Sequence, residues 1–152
     1  VLVGGTAGIE DREERARRRT ADEDRARHVE VVGVDAFLEA WLALPLLAGI
    51  PPEGQCREAR RANTAAGLAS SLRLAGQGAV RPMWDRLGGV RVPVLVVAGA
   101  RDPAYAALGE RLVSALPNAS LALVPDAGHA AHLEQPDGFL AVLRPWLAAH
   151  GG

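Results

Sequence analysis

The chain has 152 residues, a formal net charge of −1 and a hydrophobic fraction of 49%, which together describe a globular protein with a buried core. The near-zero charge excludes a global field that would attract nucleic acid or an anionic membrane. No apolar run reaches the roughly 18 residues of a membrane-spanning helix. Its single cysteine, Cys56, excludes an internal disulfide framework and, without a secretory signal in these residues, predicts the cytoplasm.

The chain opens with a short apolar stretch that runs into glycine. Val1-Leu-Val3 followed by Gly4-Gly5 is typical of the end of a buried strand that passes into a loop, and we assign residues 1–9 to this feature. A strand that begins at the first residue, with valine rather than methionine there, leads us to expect that the chain is the C-terminal portion of a longer protein.

The next segment, residues 10–30, is strongly charged. Arginines alternate with acidic residues, a pattern typical of a helix with i,i+4 ion pairs such as Glu14 with Arg18 and Arg18 with Asp22. The simplest interpretation is a solvated helix face. The alternative is that one or two arginines turn inward and bind a substrate carboxylate through a bidentate fork. Nucleic-acid binding is disfavoured because the acidic residues cancel the positive charge.

Several further helical patterns follow the charged segment. Apolar spacing predicts a helix over residues 34–42, in which Trp41 lies on the apolar face and is favoured as a packing residue. Shorter helical patterns lie at about residues 55–62 and 68–74, separated by proline and glycine breakers. We therefore group residues 10–78 as consecutive helices that interrupt an otherwise alternating strand–helix pattern.

Residues 79–152 carry that strand–helix alternation. Val94–Ala98 is a continuous apolar run, as expected of a parallel strand that is buried on both faces, and Leu121–Val124 is a second short apolar run. An amphipathic stripe from Tyr105 to Leu116 predicts one helix that joins them. This part of the chain therefore predicts an α/β core.

A polar residue follows each of these two strands. Asp102 stands behind the first strand and His129 behind the second, where open α/β sheets place their sites. An imidazole exchanges a proton near neutral pH, and a carboxylate bonded to its second nitrogen fixes the tautomer and stabilises the imidazolium. Taken singly, each residue has a simpler structural explanation: Asp102 caps the following helix, and His129 occupies a turn. Their order, each behind its own strand, favours a catalytic pair.

This arrangement resembles the last two catalytic elements of the α/β-hydrolase fold, whose chain order is Ser, then Asp or Glu, then His. The resemblance implies the C-terminal part of a parallel sheet with flanking helices, and a helical cap over residues 10–78. None of the serines lies in the G-x-S-x-G turn that carries the nucleophile. We therefore expect the serine upstream of Val1 and expect this portion alone to be inactive. The serines present are Ser70, Ser71, Ser114 and Ser120.

Further stretches are similar to the 2-succinyl-6-hydroxy-2,4-cyclohexadiene-1-carboxylate synthase family of menaquinone biosynthesis. The resemblance implies a lyase in which a serine, activated by histidine, abstracts a proton from a cyclohexene-carboxylate precursor, and pyruvate is eliminated. The similarity covers nearly the whole chain. The matching segments are Gly4–Asp11, Glu14–Arg19 with Asp22, Trp41–Leu47, Arg60–Asn63, Leu68–Arg73, Gln77–Leu87 and Ala127–Pro136.

The same resemblance implies a set of substrate-binding residues. Arg18 and Arg61 match the substrate-binding arginines of the family, with Arg15 and Arg19 as rivals for the first position. Trp41 matches a tryptophan that lines the pocket. The substrate carries several carboxylates, and each carboxylate that leaves water needs a paired donor. An arginine-rich cap therefore makes physical sense.

Two alternatives remain beside the lyase. The pair of Asp102 and His129 would equally serve a generic α/β-fold serine hydrolase, either an esterase or a carbon–carbon hydrolase. The non-enzymatic alternative is an inactive truncated product. For the enzymes we expect a small-molecule partner, a polycarboxylate in the case of the lyase. We expect no cofactor, no metal ion, no nucleic acid and no membrane partner.

Overall fold

The computed structural model describes residues 1–151, which divide into two compact units. One unit, here called the sheet unit, contains all three strands, and the other, the helical unit, contains only helices and loops. The sheet unit comprises Val1–Thr6, Pro45–Gln55 and the chain from Trp84 onward. The helical unit comprises Ala7–Leu44 and Cys56–Met83.

These units divide the chain differently from the sequence-based division at 1–9, 10–78 and 79–152. Residues 45–55, which were expected in the helical cap, group with the sheet unit. They contain the proline and glycine breakers and a 3₁₀ turn, Pro52–Gln55, rather than a long helix. A breaker segment has no amphipathic pattern that would indicate which unit it packs against, so the sequence alone did not place it.

The sheet unit is built on a three-stranded parallel sheet. The strands are β1 (Leu2–Val3), β2 (Val94–Gly99) and β3 (Ala119–Val124), and β2 lies in the middle. Val94 pairs with Ala119 and Gly99 with Val124, so β2 and β3 end together. Leu95 to Ala98 are at most 3% exposed. The prediction of a strand buried on both faces is confirmed for β2.

Helices pack on both faces of this sheet. Helix α4 (Pro103–Ala115) joins β2 to β3, and its Gly109 lies so close to the sheet that a Cβ there would meet Leu121 Cδ1 at 2.8 Å. The C-terminal helix α6 (Pro136–His150) packs Phe139, Val142, Leu143 and Trp146 against the opposite core. That core consists of Leu95, Val97, Val124, Ala127 and Ala131. A short helix, α5 (Ala131–Glu134), and a 3₁₀ turn, Trp84–Gly89, complete the unit.

The helical unit is dominated by one long helix, α1 (Arg12–Leu42). Asp11 caps its start by accepting a hydrogen bond from the Glu14 backbone N–H at 2.7 Å. The two helices predicted over residues 10–30 and 34–42 are continuous except at Gly33, whose φ of +79° lies in the left-handed region that favours glycine. The remaining helices are α2 (Arg57–Arg61) and α3 (Ala65–Ala75).

An apolar seam joins α1 to α3. Ala26, Val29, Phe37 and Ala69 form its buried centre, with Trp41 packed against it. The Trp41 ring stacks on Phe37 with ring centroids 5.6 Å apart. Trp41 therefore makes the packing contact that its helical spacing predicts. Among residues 1–151, no helix combines the length and apolar character needed to cross a membrane.

Ion pairs on the surface reinforce the same seam. The Arg73 guanidinium of α3 binds Glu23 at 2.9 and 3.2 Å and Glu30 at 2.6 and 2.9 Å, so it forms a bidentate fork with each carboxylate of α1. The hydrogen bonds from Arg73 lower the pKa of Glu23 and of Glu30 below the ordinary value of 4.5. The same bonds, first to Glu30 and then to Glu23, raise the pKa of Arg73.

We predict that Arg73→Met lowers the midpoint of thermal unfolding near neutral pH. A carboxylate whose pKa is lower in the folded state stabilises that state above its unfolded pKa, and this stabilisation is lost as the pH falls through the folded pKa. The gap between wild type and Arg73→Met should therefore close below pH 4.5. Thermal unfolding of both proteins across a pH series measures this difference in midpoint.

Arg19→Met is the matched control, because Arg19 is exposed and has no ion-pair partner within residues 1–151. A difference between wild type and Arg73→Met that stays constant from neutral pH to pH 3 would contradict the ion-pair explanation.

Candidate active site

Asp102 lies in the turn between β2 and α4, and its side chain makes two different contacts. Its Oδ1 accepts the backbone N–H of Tyr105 at 3.2 Å and thereby caps α4. Its Oδ2 faces His129. Asp102 is only 8% exposed, so this carboxylate is held largely away from water. It acts as the helix cap that one interpretation of the sequence proposed, and it is also bonded to the imidazole.

The imidazole of His129 completes the pair. Its Nδ1 lies 2.9 Å from Asp102 Oδ2, and because a carboxylate can only accept, Nδ1 carries the proton. The edge of the imidazole contacts Tyr105, with ring centroids 4.3 Å apart at 64°. On another side lies Gly4, where a Cβ would approach His129 Cε1 to 3.3 Å. The ring is therefore held by a carboxylate, an aromatic ring and a backbone segment.

The other ring nitrogen, Nε2, is left available. It has no hydrogen-bond partner within residues 1–151, and the His129 side chain is 20% exposed. With Nδ1 protonated, Nε2 has a free lone pair that can accept a proton from a hydroxyl. No serine of the described chain is hydrogen-bonded to it; Ser114, for example, donates to the backbone oxygen of Glu110 in α4. The described residues therefore present an imidazole with a carboxylate on Nδ1 and an Nε2 to which no described serine is hydrogen-bonded.

Backbone contacts set the distance between the two turns that carry this pair. Beyond the end of the strand pairing, the Ala100 N–H donates to Val124 O at 2.9 Å and the Arg101 N–H donates to Ala127 O at 2.8 Å. Gly99 lies so close to the second turn that a Cβ there would overlap the carbonyl oxygens of Ala127 and Gly128. The turns are thus joined along their backbones, and the side-chain pair forms at the position they define.

The predicted substrate-binding residues all lie in the helical unit. Arg18 Nε donates to both oxygens of Asp22, at 2.9 and 3.0 Å, and its Nη1 lies 3.3 Å from Gln77 Oε1. The predicted pair of Arg18 with Asp22 is therefore confirmed, whereas the predicted pair of Glu14 with Arg18 does not form within the described chain. Asp22 is 2% exposed and also accepts from Arg25, so two guanidinium groups share one buried carboxylate and the cluster keeps one positive charge.

Arg61 and the rivals of Arg18 occupy different surroundings. Arg61 Nε donates to Asp35 at 2.7 Å, and half of its side chain is exposed. Arg15 donates to the backbone oxygens of Ile9 and Glu10. Arg19 lines a charged cavity of about 610 Å³ between α1 and α3.

Trp41 lines a second, more apolar cavity of about 230 Å³ in the helical unit. Arg60 contributes to this cavity, whereas its neighbour Arg61 does not. The motif match points to Arg61, whereas the orientation of α2 places Arg60 in the wall of the cavity that Trp41 lines. Phe37, Leu38, Asn63, Leu68, Ser71 and Leu72 complete the wall.

The alpha/beta hydrolase family profile matches residues 1–142 of this sequence. The chain belongs to this family. The parallel sheet, its flanking helices and the order of Asp102 and His129 agree with that assignment, so the fold expected from the resemblance is confirmed.

Curated relatives extend the similarity to a subfamily. A protein of Bacillus subtilis (strain 168), provisionally named 2-succinyl-6-hydroxy-2,4-cyclohexadiene-1-carboxylate synthase, is 30% identical over 98% of this chain and 56% of its own length. The synthase of that name from Serratia proteamaculans (strain 568) is 29% identical over 99% of this chain and 58% of its own length. The chain therefore spans little more than half the length of the curated relatives it matches.

A solved structure supports the same relationship. MenH from S. aureus superimposes with a TM-score of 0.93 at 28% identity and covers 99% of this chain and 59% of its own. The resemblance to the synthase family, inferred from motifs in both units, is confirmed by these similarities.

We predict that Gly99→Ala destabilises the sheet unit by about 1–3 kcal/mol, because the new methyl group would push apart the two backbone-joined turns. Chemical denaturation measures the loss. Gly89→Ala is the control, since a Cβ at Gly89 meets no atom within 4 Å. Equal unfolding midpoints for the two variants would contradict the close approach at Gly99.

Proposed function

We propose that the whole protein is a lyase that eliminates pyruvate from a cyclohexene-carboxylate precursor to give 2-succinyl-6-hydroxy-2,4-cyclohexadiene-1-carboxylate. The similarity to the named synthases carries this proposal, because it extends over 98–99% of the chain and so includes the helical unit as well as the sheet. The Asp102–His129 pair, which many α/β hydrolases share, supplies the chemistry but does not by itself select the substrate.

The proposed reaction begins with the free Nε2 of His129. This nitrogen accepts the proton of a serine hydroxyl, and Asp102, bonded to Nδ1, stabilises the imidazolium that results. The serine oxygen then removes a proton from a ring carbon of the substrate. The electron pair forms a ring double bond, and the bond between the ring and the pyruvate oxygen breaks. The released enolate takes the proton held on His129 Nε2 and becomes pyruvate, which restores the neutral imidazole, while the serine keeps the proton removed from the substrate.

The proposed reaction uses a serine from outside these 152 residues. No G-x-S-x-G turn occurs in the sequence, and the curated relatives are nearly twice as long. We propose that the remainder of the protein supplies the serine, and that the portion described here does not turn over substrate alone.

A single cysteine, free and exposed, supports a reducing compartment such as the cytoplasm.

Arginines of the helical unit are the proposed carboxylate ligands. Arg61 has one carboxylate partner and a half-exposed side chain, so guanidinium donors remain for a second anion. Arg18 belongs to a cluster with one excess positive charge. Trp41 would supply an apolar wall, and Arg60 is a structural rival of Arg61 because it shares the cavity with Trp41.

The reaction can be tested on the full-length gene product. Pyruvate release from the menaquinone precursor is followed with lactate dehydrogenase and NADH, beside a His129→Gln variant as the inactive reference. An activated ester is tested in parallel, since a burst of leaving group would report an acyl-enzyme and a serine hydrolase. Ester turnover with no pyruvate release would contradict the lyase and favour the hydrolase, and inactivity toward both would favour a non-enzymatic product.

We predict that Arg61→Ala lowers kcat/KM for pyruvate release by roughly 10- to 100-fold, mainly through KM, because a charge-assisted hydrogen bond to a substrate carboxylate is lost. Steady-state kinetics measure it. Arg60→Ala tests the structural rival, and Arg12→Ala is the control, since Arg12 is exposed and has no partner within residues 1–151. Unchanged kinetics in Arg61→Ala would remove Arg61 from the site.

A further inference from the structure

Glu134 is bonded to the backbone on both sides of His129. Its Oε2 accepts the N–H of Gly128 at 2.7 Å, and its Oε1 accepts the N–H of Ala130 at 3.0 Å. We propose that Glu134 is a positioning residue that sets the place of His129 for proton transfer. This inference rests on the proposed function, since it assigns a role within the same site.

The two hydrogen bonds close a compact ring of backbone and side chain. Glu134 is the last residue of α5, and its own backbone N–H donates to Ala130 O at 2.9 Å while its carboxylate accepts from the Ala130 N–H. The Leu133 N–H donates to the same oxygen at 2.7 Å. Hydrogen bonds to an ionised carboxylate are stronger than neutral ones, and here both carboxylate oxygens are used.

The space around this carboxylate is kept open by two glycines. A Cβ at Gly128 would lie 2.8 Å from Oε2 and 3.1 Å from Oε1 of Glu134. A Cβ at Gly49 would overlap Oε2. Gly49 comes from the segment at residues 45–55, which is part of the sheet unit although it is distant in the sequence. The site therefore accommodates a carboxylate only because neither neighbour carries a side chain.

The position of His129 is thereby defined from both directions along the chain. On the N-terminal side, Ala127 O accepts the Arg101 N–H at 2.8 Å and joins the turn to the one that carries Asp102. On the C-terminal side, Glu134 holds the peptide groups of Gly128 and Ala130. The 2.9 Å bond between His129 and Asp102 forms between these two restraints.

Glu134 acts on the chemistry through His129. Its hydrogen bonds go to backbone N–H groups, and it makes none to the imidazole. Loss of the carboxylate would leave two partly buried N–H groups unpaired and free the backbone of His129 to shift. A misplacement of about 1 Å can reduce a rate on the order of 100-fold. Substrate binding, which the proposed function assigns to arginines of the helical unit, should be little affected.

The test uses three variants of the full-length protein. Glu134→Ala removes both acceptors, and Glu134→Gln keeps the shape but leaves only one oxygen as an acceptor. Gly49→Ala keeps the glutamate at position 134 but introduces a methyl group that would overlap its carboxylate. Glu110→Ala is the matched control, because Glu110 is an exposed glutamate in α4 whose side chain makes no hydrogen bond within residues 1–151.

Two quantities are measured for each folded variant. The first is kcat and KM for pyruvate release. The second is the proton NMR signal of the His129 Nδ1–H, identified by its loss in His129→Gln, whose exchange with water reports how firmly the bond to Asp102 is held. We expect kcat to fall on the order of 10- to 100-fold with KM within about twofold, and the signal to broaden, while Glu110→Ala matches wild type.

The outcomes separate this inference from its alternatives. A kcat equal to that of Glu110→Ala, or a His129 signal that is unchanged in Glu134→Gln and Gly49→Ala, would overturn it. If Glu134→Ala does not fold, the same two measurements on Glu134→Gln and Gly49→Ala decide whether Glu134 positions His129. If wild type releases no pyruvate, the proposed function fails, and the NMR signal alone still decides whether Glu134 positions His129.

Discussion

The hydrogen bond between His129 Nδ1 and Asp102 Oδ2 depends on a constraint that the backbone imposes. Parallel pairing of β2 and β3 ends both strands at the same edge of the sheet, and two further backbone bonds continue the contact into the turns. Gly99 allows the turns to approach this closely. Two residues that are 27 positions apart in sequence are thereby brought to 2.9 Å, and Nε2 is left to accept a proton.

The helical unit uses its charges in a different way. Much of its arginine content is bound by carboxylates of the same unit, as in the double fork of Arg73 to Glu23 and Glu30, so these charges stabilise helix packing. The buried Asp22 is shared by Arg18 and Arg25, which leaves one positive charge on this three-residue cluster. A mixed-charge surface with local positive excess fits a protein whose net charge is close to zero and whose proposed substrate is a small anion.

Parts of the fold were predictable because their signals are local. The continuous apolar run of β2 and the helical stripe of α4 each lie within a short window, and turn residues follow the strands. The placement of residues 45–55 with the sheet was missed, because a segment of breakers carries no periodicity. The two helices predicted over residues 10–30 and 34–42 were separated correctly, because Gly33 between them has non-helical φ and ψ angles and kinks the chain.

By itself the sequence determined the fold class and the order of an acid and a base behind two strands, since strand burial and turn formation depend on residues that are close together in the sequence. Only the tertiary structure decided that Asp102 and His129 meet, that Arg60 shares a cavity with Trp41, and that Glu134 is bonded on both sides of His129. The reason is physical: distances between side chains depend on strand register, helix rotation and the close approach of glycines such as Gly49 and Gly99, which no local pattern encodes.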